Sequence, residues 1–256
     1  MITLAISELK MLARNRTVAI MTLAMPLILG AMLYLMPGTR NGSGPGPAPQ
    51  GFAQTLIPLV AGLGTYLAGT STLASRRQAL VLKRLRMTVL SPARILAGIL
   101  VPIALVNACQ LFAILAVVDL LSPRGDAGLA WLAVAIVVAE LLFAALALLT
   151  AVYTPSAEHA QYTTLPVLLV VIGAATWVAA TGPANTDGGM TGLIQLALPG
   201  GGLATMAGVD WHSTAAAAPG VAGMAATLAW TALAAFVALR LFAWDPRSPA
   251  RRRIAG

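Results

Sequence analysis

Long apolar stretches alternate with short polar ones along the whole chain. A helix that crosses the hydrocarbon core of a bilayer needs about 20 apolar residues, each rising about 1.5 Å. Six stretches meet this requirement, at roughly 17–36, 53–74, 95–121, 129–153, 161–181 and 221–243. The pattern predicts an all-α integral membrane protein with six transmembrane helices, built as a single domain over residues 1–256.

The first apolar stretch could also belong to a signal peptide, because Lys10, Arg14 and Arg16 precede it. Its length exceeds the roughly 7–15 apolar residues of a signal-peptide core, and no cleavage site of small residues follows it. We therefore expect a retained first span. Apolar residues recur at helical spacing within 1–16, which predicts an N-terminal amphipathic helix lying in the membrane interface.

Composition narrows the class of protein further. The chain is 59% hydrophobic and 9% charged, and its mean hydropathy is +0.85. Six spans use most of its 256 residues and leave no room for a separate soluble domain. The single cysteine, Cys109, excludes a disulfide within the chain and is expected to be a small apolar residue of the third span.

The basic residues are distributed unevenly over the predicted loops. An even number of spans places both termini on one side, together with the loop 75–94. That side carries all of the 16 lysines and arginines except Arg40 and Arg124. Because cytoplasmic loops are enriched in basic residues, we expect a multi-pass protein of the cell (plasma) membrane with both termini in the cytoplasm. The net charge of +8 then serves topology and attraction to anionic lipid, and it predicts no nucleic-acid partner.

The loop 75–94 is also periodic, which a topology signal alone does not require. Wound as a helix, it gathers Val81, Leu82, Leu85 and Val89 on one side and Arg76, Arg77, Lys83 and Arg84 on the other. Ser91 precedes a proline and is therefore pushed away from helical dihedrals, which ends the helix. The pattern predicts a short amphipathic helix on the cytoplasmic side.

The predicted outer connection 182–220 is long and largely apolar, but Pro199 and Gly200–Gly202 interrupt it. A structureless loop of this length is unusual. We expect short helices that dip partway into the outer leaflet, where backbone is tolerated only if protein or a cavity covers it.

Several kinds of chemistry are missing from the sequence. The only lysines, Lys10 and Lys83, do not follow a glycine, so the chain has no phosphate-binding P-loop. His159 and His212 fall on opposite sides of the predicted membrane, and no paired cysteine ligands occur. We therefore predict no catalytic residues, no metal site and no enzymatic activity of the chain itself.

Polar residues within the spans are costly and mark candidate functional positions. Glu140 lies near the middle of the fourth span, and Asn107 and Gln110 share one face of the third. These three residues either line a substrate pathway or hydrogen-bond between helices, with Glu140 protonated or paired. The sequence leaves both interpretations open.

Four segments resemble the permease subunit of type-2 ABC exporters, a family that exports drugs, antibiotics and polysaccharides. They are "ELKMLARNRTVAIMTLAMPLIL" at 8–29, "SRRQALVLKRLRMTVLSPARILAGIL" at 75–100, "LALPGGGLATMAGV" at 196–209 and "RLFAWDPR" at 240–247. Their order and spacing match the family's interfacial helix, cytoplasmic segment, outer re-entrant helices and end of the last span. The chain departs from the family at Gln78–Leu80, where an acidic residue and "GT" are common.

The resemblance implies that the 75–94 helix is a coupling helix seated in a cleft of a separate ABC ATPase subunit, which would bind ATP and Mg. It also implies a second permease chain, in a homodimer or a heterodimer. The chain itself would bind no cofactor and would form half of the translocation pathway. An apolar lining favours a hydrophobic drug-like or lipid-like substrate. The residues expected to contact the ATPase are Arg77, Gln78, Val81, Leu82, Leu85 and Val89, and those expected to meet headgroups or an acidic rim are Arg76, Lys83, Arg84 and Arg86.

Two alternatives remain at the level of sequence. The chain could be a proton-coupled secondary transporter in which Glu140 carries the proton, although no convincing internal repeat is present. It could also be a membrane protein without transport activity, acting as an assembly factor or as the partner of a sensor.

Overall fold

The computed structural model describes residues 24, 26–33, 49–81, 91–121, 127–182, 189–208 and 217–242. All regular structure within these residues is helical, which confirms the predicted all-α class. The elements are α1 (Pro49–Ala61), a π-helical turn (Gly62–Leu67), α2 (Ala68–Gln78), α3 (Pro92–Leu121), α4 (Ala127–Tyr153), α5 (Ala160–Thr181), α6 (Met190–Ala197), α7 (Gly201–Ala207) and α8 (Ala217–Leu241).

Five helical segments are long and apolar enough to cross a membrane. They are Gly51–Gln78, Ala93–Val118, Ala130–Tyr153, Ala160–Thr181 and Ala218–Leu241, and they match the second to sixth predicted spans. The predicted interfacial helix 1–16 lies outside the described residues. Of the predicted first span 17–36, residue 24 and residues 26–33 are described, and they are helical. The chain is therefore a helical protein with five candidate membrane-spanning helices, and the first of the six predicted spans stays a prediction.

Helix α4 lies at the centre of the described bundle. It packs against α8, α3, α2, α5 and the π-helical turn. Its apolar residues are buried on several sides, as Ala139, Leu142 and Phe143 illustrate with no measurable exposure. A helix that is apolar all round is expected at such a position, and "AVAIVVAELLFAALALL" at 133–149 has this character, broken only by Glu140.

The connection after α5 contains the two short helices α6 and α7. Every residue of α7 is buried, and the helix packs against α1, α5 and α8. Gly200 precedes it with a φ of +97°, a conformation that favours glycine. A Cβ on Gly202 would lie 2.8 Å from the carbonyl oxygen of Gly223, so this glycine allows α7 to approach α8 closely. The location of these helices in the outer leaflet stays a prediction.

The second span is longer than the sequence suggests. We predicted it over 53–74, with the cytoplasmic helix beginning at 75, whereas α2 continues to Gln78. Leu80 follows with a φ of +57°, and the amide of Ala79 donates to the carbonyl of Ser75 at 3.0 Å. A left-handed residue at this position ends a helix. The prediction of one helix wound from residue 76 through the loop is therefore wrong at its start, because 75–78 continue α2 and the helix ends before Leu80.

Candidate functional site

Three polar side chains meet near the middle of the bundle. Thr65, Asn107 and Glu140 lie near the midpoints of the candidate spans Gly51–Gln78, Ala93–Val118 and Ala130–Tyr153, respectively. All three are buried, with Glu140 only 5% exposed. Polar groups that are buried among apolar side chains need hydrogen-bond partners within the protein. We call these three residues the central polar cluster.

The carboxyl group of Glu140 accepts a hydrogen bond on each of its oxygens. Asn107 Nδ2 donates to Oε1 at 2.9 Å, and Thr65 Oγ1 donates to Oε2. Asn107 Nδ2 also lies 3.3 Å from Thr65 Oγ1 and 3.4 Å from the carbonyl oxygen of Val60. The cluster thus joins the second, third and fourth predicted spans through side chains of three different helical segments.

The π-helical turn places Thr65 in this cluster. Such turns are rare and are often found at functional sites, because the wider winding changes which way side chains and carbonyls face. A Cβ on Gly64 would lie 2.3 Å from Asn107 Oδ1, so only glycine lets the turn approach Asn107 so closely. Tyr66, which follows Thr65, is hydrogen-bonded through its hydroxyl to Thr150 Oγ1 at 2.8 Å. The turn is therefore fastened to α4 by two successive residues.

A groove of about 440 Å³ opens between α3, α4 and α8, and Glu140 forms part of its wall. Thr231 of α8 and Glu140 are its only polar described lining residues. The others are alanine, leucine and valine, among them Ala93, Ala104 and Leu239. The described lining of the groove is therefore apolar along its length, with Glu140 as its one ionisable residue.

Among the described residues, the other buried side chain of a charged type lies at the end of α2. Arg77, at the last turn of α2, is 5% exposed. Its Nη1 donates to the carbonyl oxygen of Val152 at 3.3 Å, and its Nη2 donates to that of Thr154. Carbonyls at the end of a helix have no partner within the helix. Arg77 therefore fastens the end of α2 to the end of α4 and to the turn that leads into α5.

The sequence-predicted pathway residues are placed unequally. Asn107 and Glu140 are brought together as a hydrogen-bonded pair, while Gln110 is half-buried further along α3. The structure adds Thr65, which sequence reasoning missed. Its only signal was the preceding "GLG" at 62–64, a flexible stretch inside an apolar span.

The predicted ATPase-contacting residues are only partly described. Arg77 is buried within the chain, Arg76 and Val81 are half-buried, and Gln78 is exposed. The remaining residues of both predicted sets lie outside the described residues; they are Leu82, Lys83, Arg84, Leu85, Arg86 and Val89. Their contacts with a partner or with headgroups stay predictions. Arg77 has a role within the chain that the sequence did not indicate.

Other chemistry is sparse in the described part of the chain. No group of three or more histidine, cysteine, aspartate or glutamate side chains there could hold a metal ion. Comparison with models of known protein families finds no match, and comparison with curated protein sequences finds none either. A function of the chain therefore has to be inferred from the arrangement of its residues.

Proposed function

We propose that the chain is the membrane-spanning subunit of an ATP-driven ABC exporter, that it forms half of a translocation pathway, and that a separate subunit hydrolyses the ATP. The five candidate spans, the missing P-loop and the resemblance of the four segments support this proposal. The substrate proposed is a hydrophobic, drug-like or lipid-like molecule, in keeping with the apolar groove.

The hydrogen bonds from Arg77 to the carbonyls of Val152 and Thr154 are the observation that best supports the proposal. A segment that transmits force from an ATPase must leave the membrane domain at a rigid point, since a loose attachment would absorb the movement. The segment 79–91 begins where α2 ends, two residues after Arg77. The guanidinium of Arg77 donates to the carbonyls of Val152 and Thr154. A displacement of this segment would therefore move the ends of α2 and α4 together, and with them the turn to α5.

A reconstitution experiment tests the proposal. The chain is co-expressed with any P-loop protein that an adjacent reading frame encodes, purified and placed in proteoliposomes. We expect a stable complex, with transport that requires ATP hydrolysis. Failure to form a complex, together with no ATP-dependent transport, would reject the proposal.

Substitutions on the two faces of the cytoplasmic segment test the coupling assignment. We expect Leu82→Asp and Leu85→Asp to abolish association with the ATPase subunit, because both place a charge on the predicted apolar face. Met87→Asp is the matched control, since Met87 falls among the basic residues on the helical wheel and should leave association intact. Equal association for all three variants would reject the assignment of the apolar face.

A proton-coupled secondary transporter is the second candidate function. The observation that favours it is Glu140, which lies at mid-bundle and pairs with no basic side chain among the described residues. A pH gradient alone would then drive transport by the isolated chain in proteoliposomes, and Glu140→Gln would abolish it. Transport that proceeds only with ATP and the ATPase subunit would reject this alternative.

A further inference from the structure

We propose that the groove between α3, α4 and α8 binds an amphiphilic organic cation, with the positive group at Glu140 and the apolar body along α3. This inference rests on the proposed transport function and names the class of its substrate. Binding to the groove requires only this chain, whereas transport also requires the ATPase subunit. Experiments can therefore test binding and transport separately.

The groove has two chemically different ends. At one end Ala108, Glu140 and Thr231 lie at the level of the central polar cluster. At the other end Ala93, Leu148 and Leu239 lie where α3 begins and where α4 and α8 end. The stretch of α3 from Ala93 to Ala108 extends about 22 Å, at about 1.5 Å per residue. An elongated molecule with one polar end matches this distribution.

The polar end calls for a positive charge rather than a neutral donor. Each oxygen of Glu140 accepts one hydrogen bond, from Asn107 or from Thr65. A carboxylate has about four acceptor positions, and Asn107 and Thr65 occupy about two of them. Among the described residues no basic side chain pairs with Glu140, and the described lining of the groove contains none. A cationic ligand would supply the missing countercharge at a depth where water cannot.

The size and wall of the groove agree with a ligand of drug-like dimensions. Its volume of about 440 Å³ falls within the range of about 300–1,000 Å³ that is typical of small-molecule sites. Alanines on α3 and α4, such as Ala97, Ala104 and Ala144, have small side chains and leave space for a ligand. Exposed side chains beside them, including Val101, Leu105 and Leu141, are apolar, so a ligand could reach the groove from the surrounding lipid.

Two rod-shaped fluorescent dyes provide a matched pair of probes. Diphenylhexatriene is neutral, and its trimethylammonium derivative carries one permanent positive charge on the same body. Binding is measured with the chain in lipid nanodiscs, as saturable quenching of tryptophan fluorescence above the quenching from probe dissolved in the lipid. We expect saturable binding of the cationic probe, and weaker binding of the neutral one by about tenfold or more.

Three variants locate the site and test its charge. Glu140→Gln should weaken binding of the cationic probe by about tenfold or more and leave binding of the neutral probe unchanged. Ala104→Phe should abolish saturable binding of the cationic probe, because the added ring fills the groove. Ala113→Phe makes the same change on the exposed opposite side of α3 and should bind like the unchanged chain.

The outcomes that overturn the inference are separate from failure of the proposed function. Equal affinity for both probes would show that the groove is an apolar cleft for lipid tails. Unchanged binding in Ala104→Phe would place the site elsewhere, and this result does not depend on the folding of the Glu140 variant. A chain that binds the cationic probe but never transports with the ATPase subunit would reject the proposed function alone.

Discussion

Arg77 and Glu140 are both ionisable residues with 5% exposure, but their hydrogen-bond partners are of different kinds. Arg77 donates to backbone carbonyls, at the end of a neighbouring helix. Glu140 accepts from two side chains that belong to other helical segments, and it borders a groove. Backbone acceptors cannot turn away, whereas side-chain donors can rotate towards other partners. The comparison indicates that the arginine fastens helices together, while the glutamate is held only by side chains that are able to rotate away from it.

Removing Arg77 should have the largest effect on stability. We expect Arg77→Met to lower the free energy of unfolding by about 2–4 kcal/mol, because it leaves two helix-end carbonyls without their charged donor. The measurement is unfolding of the purified chain in mixed micelles of mild detergent and dodecyl sulfate. Arg77→Lys keeps the charge but not the planar fork of the guanidinium. We expect its free energy of unfolding to lie between those of the unchanged chain and Arg77→Met.

Gln78 provides the matched control for Arg77. It is the next residue of the same helix end and it is exposed. Gln78→Met therefore makes a similar substitution without removing a buried donor. Similar losses for the two methionine variants would contradict the fastening role of Arg77.

The central polar cluster could be predicted in part. Glu140 and Asn107 stand out because a charged or amide side chain is conspicuous within an apolar span. Thr65 does not stand out, because threonine in a membrane helix commonly bonds to its own helix, as Thr70 Oγ1 does to the carbonyl of Tyr66 at 2.8 Å. Only the π-helical turn brings Thr65 to Glu140, and no periodicity in the sequence indicates that winding.

The end of the second span was mispredicted for a related reason. Arg76 and Arg77 lie beyond the predicted span 53–74 because they follow the end of its apolar run. In the structure the carbonyls of Val152 and Thr154 lower the cost of burying Arg77, so the helix continues past it. The partner of Arg77 comes from a helix 75 residues later in the chain. A pattern read along one segment cannot contain such a contact, whereas the apolar runs that define the spans are local and could be predicted.

Gly64→Ala should disturb the central polar cluster with an intermediate effect on stability. The added Cβ would lie 2.3 Å from Asn107 Oδ1, so either the π-helical turn or Asn107 must move. We expect a loss of about 1–3 kcal/mol, which is typical of overpacking, together with weaker binding of the cationic probe. Gly173→Ala is the control, because nothing lies within 4 Å of its added Cβ and the residue sits inside α5. An equal effect of both changes would point to a general intolerance of alanine.

Thr65→Val should have the smallest effect on stability and so gives the finest test of the contrast between the two charges. It removes the hydroxyl that donates to Glu140 while preserving the shape of the side chain. Hydrogen bonds between membrane helices contribute about 0.6 kcal/mol on average, so we expect a loss of roughly this size. Thr70→Val is the matched control, since Thr70 bonds only within its own helix in the contact described. If Glu140 exchanges partners, the Thr65 variant should keep or strengthen its binding of the cationic probe, because one competitor for the carboxylate is gone. A loss of probe binding as large as that of Glu140→Gln would mean instead that the carboxylate is held rigidly, as the guanidinium of Arg77 is.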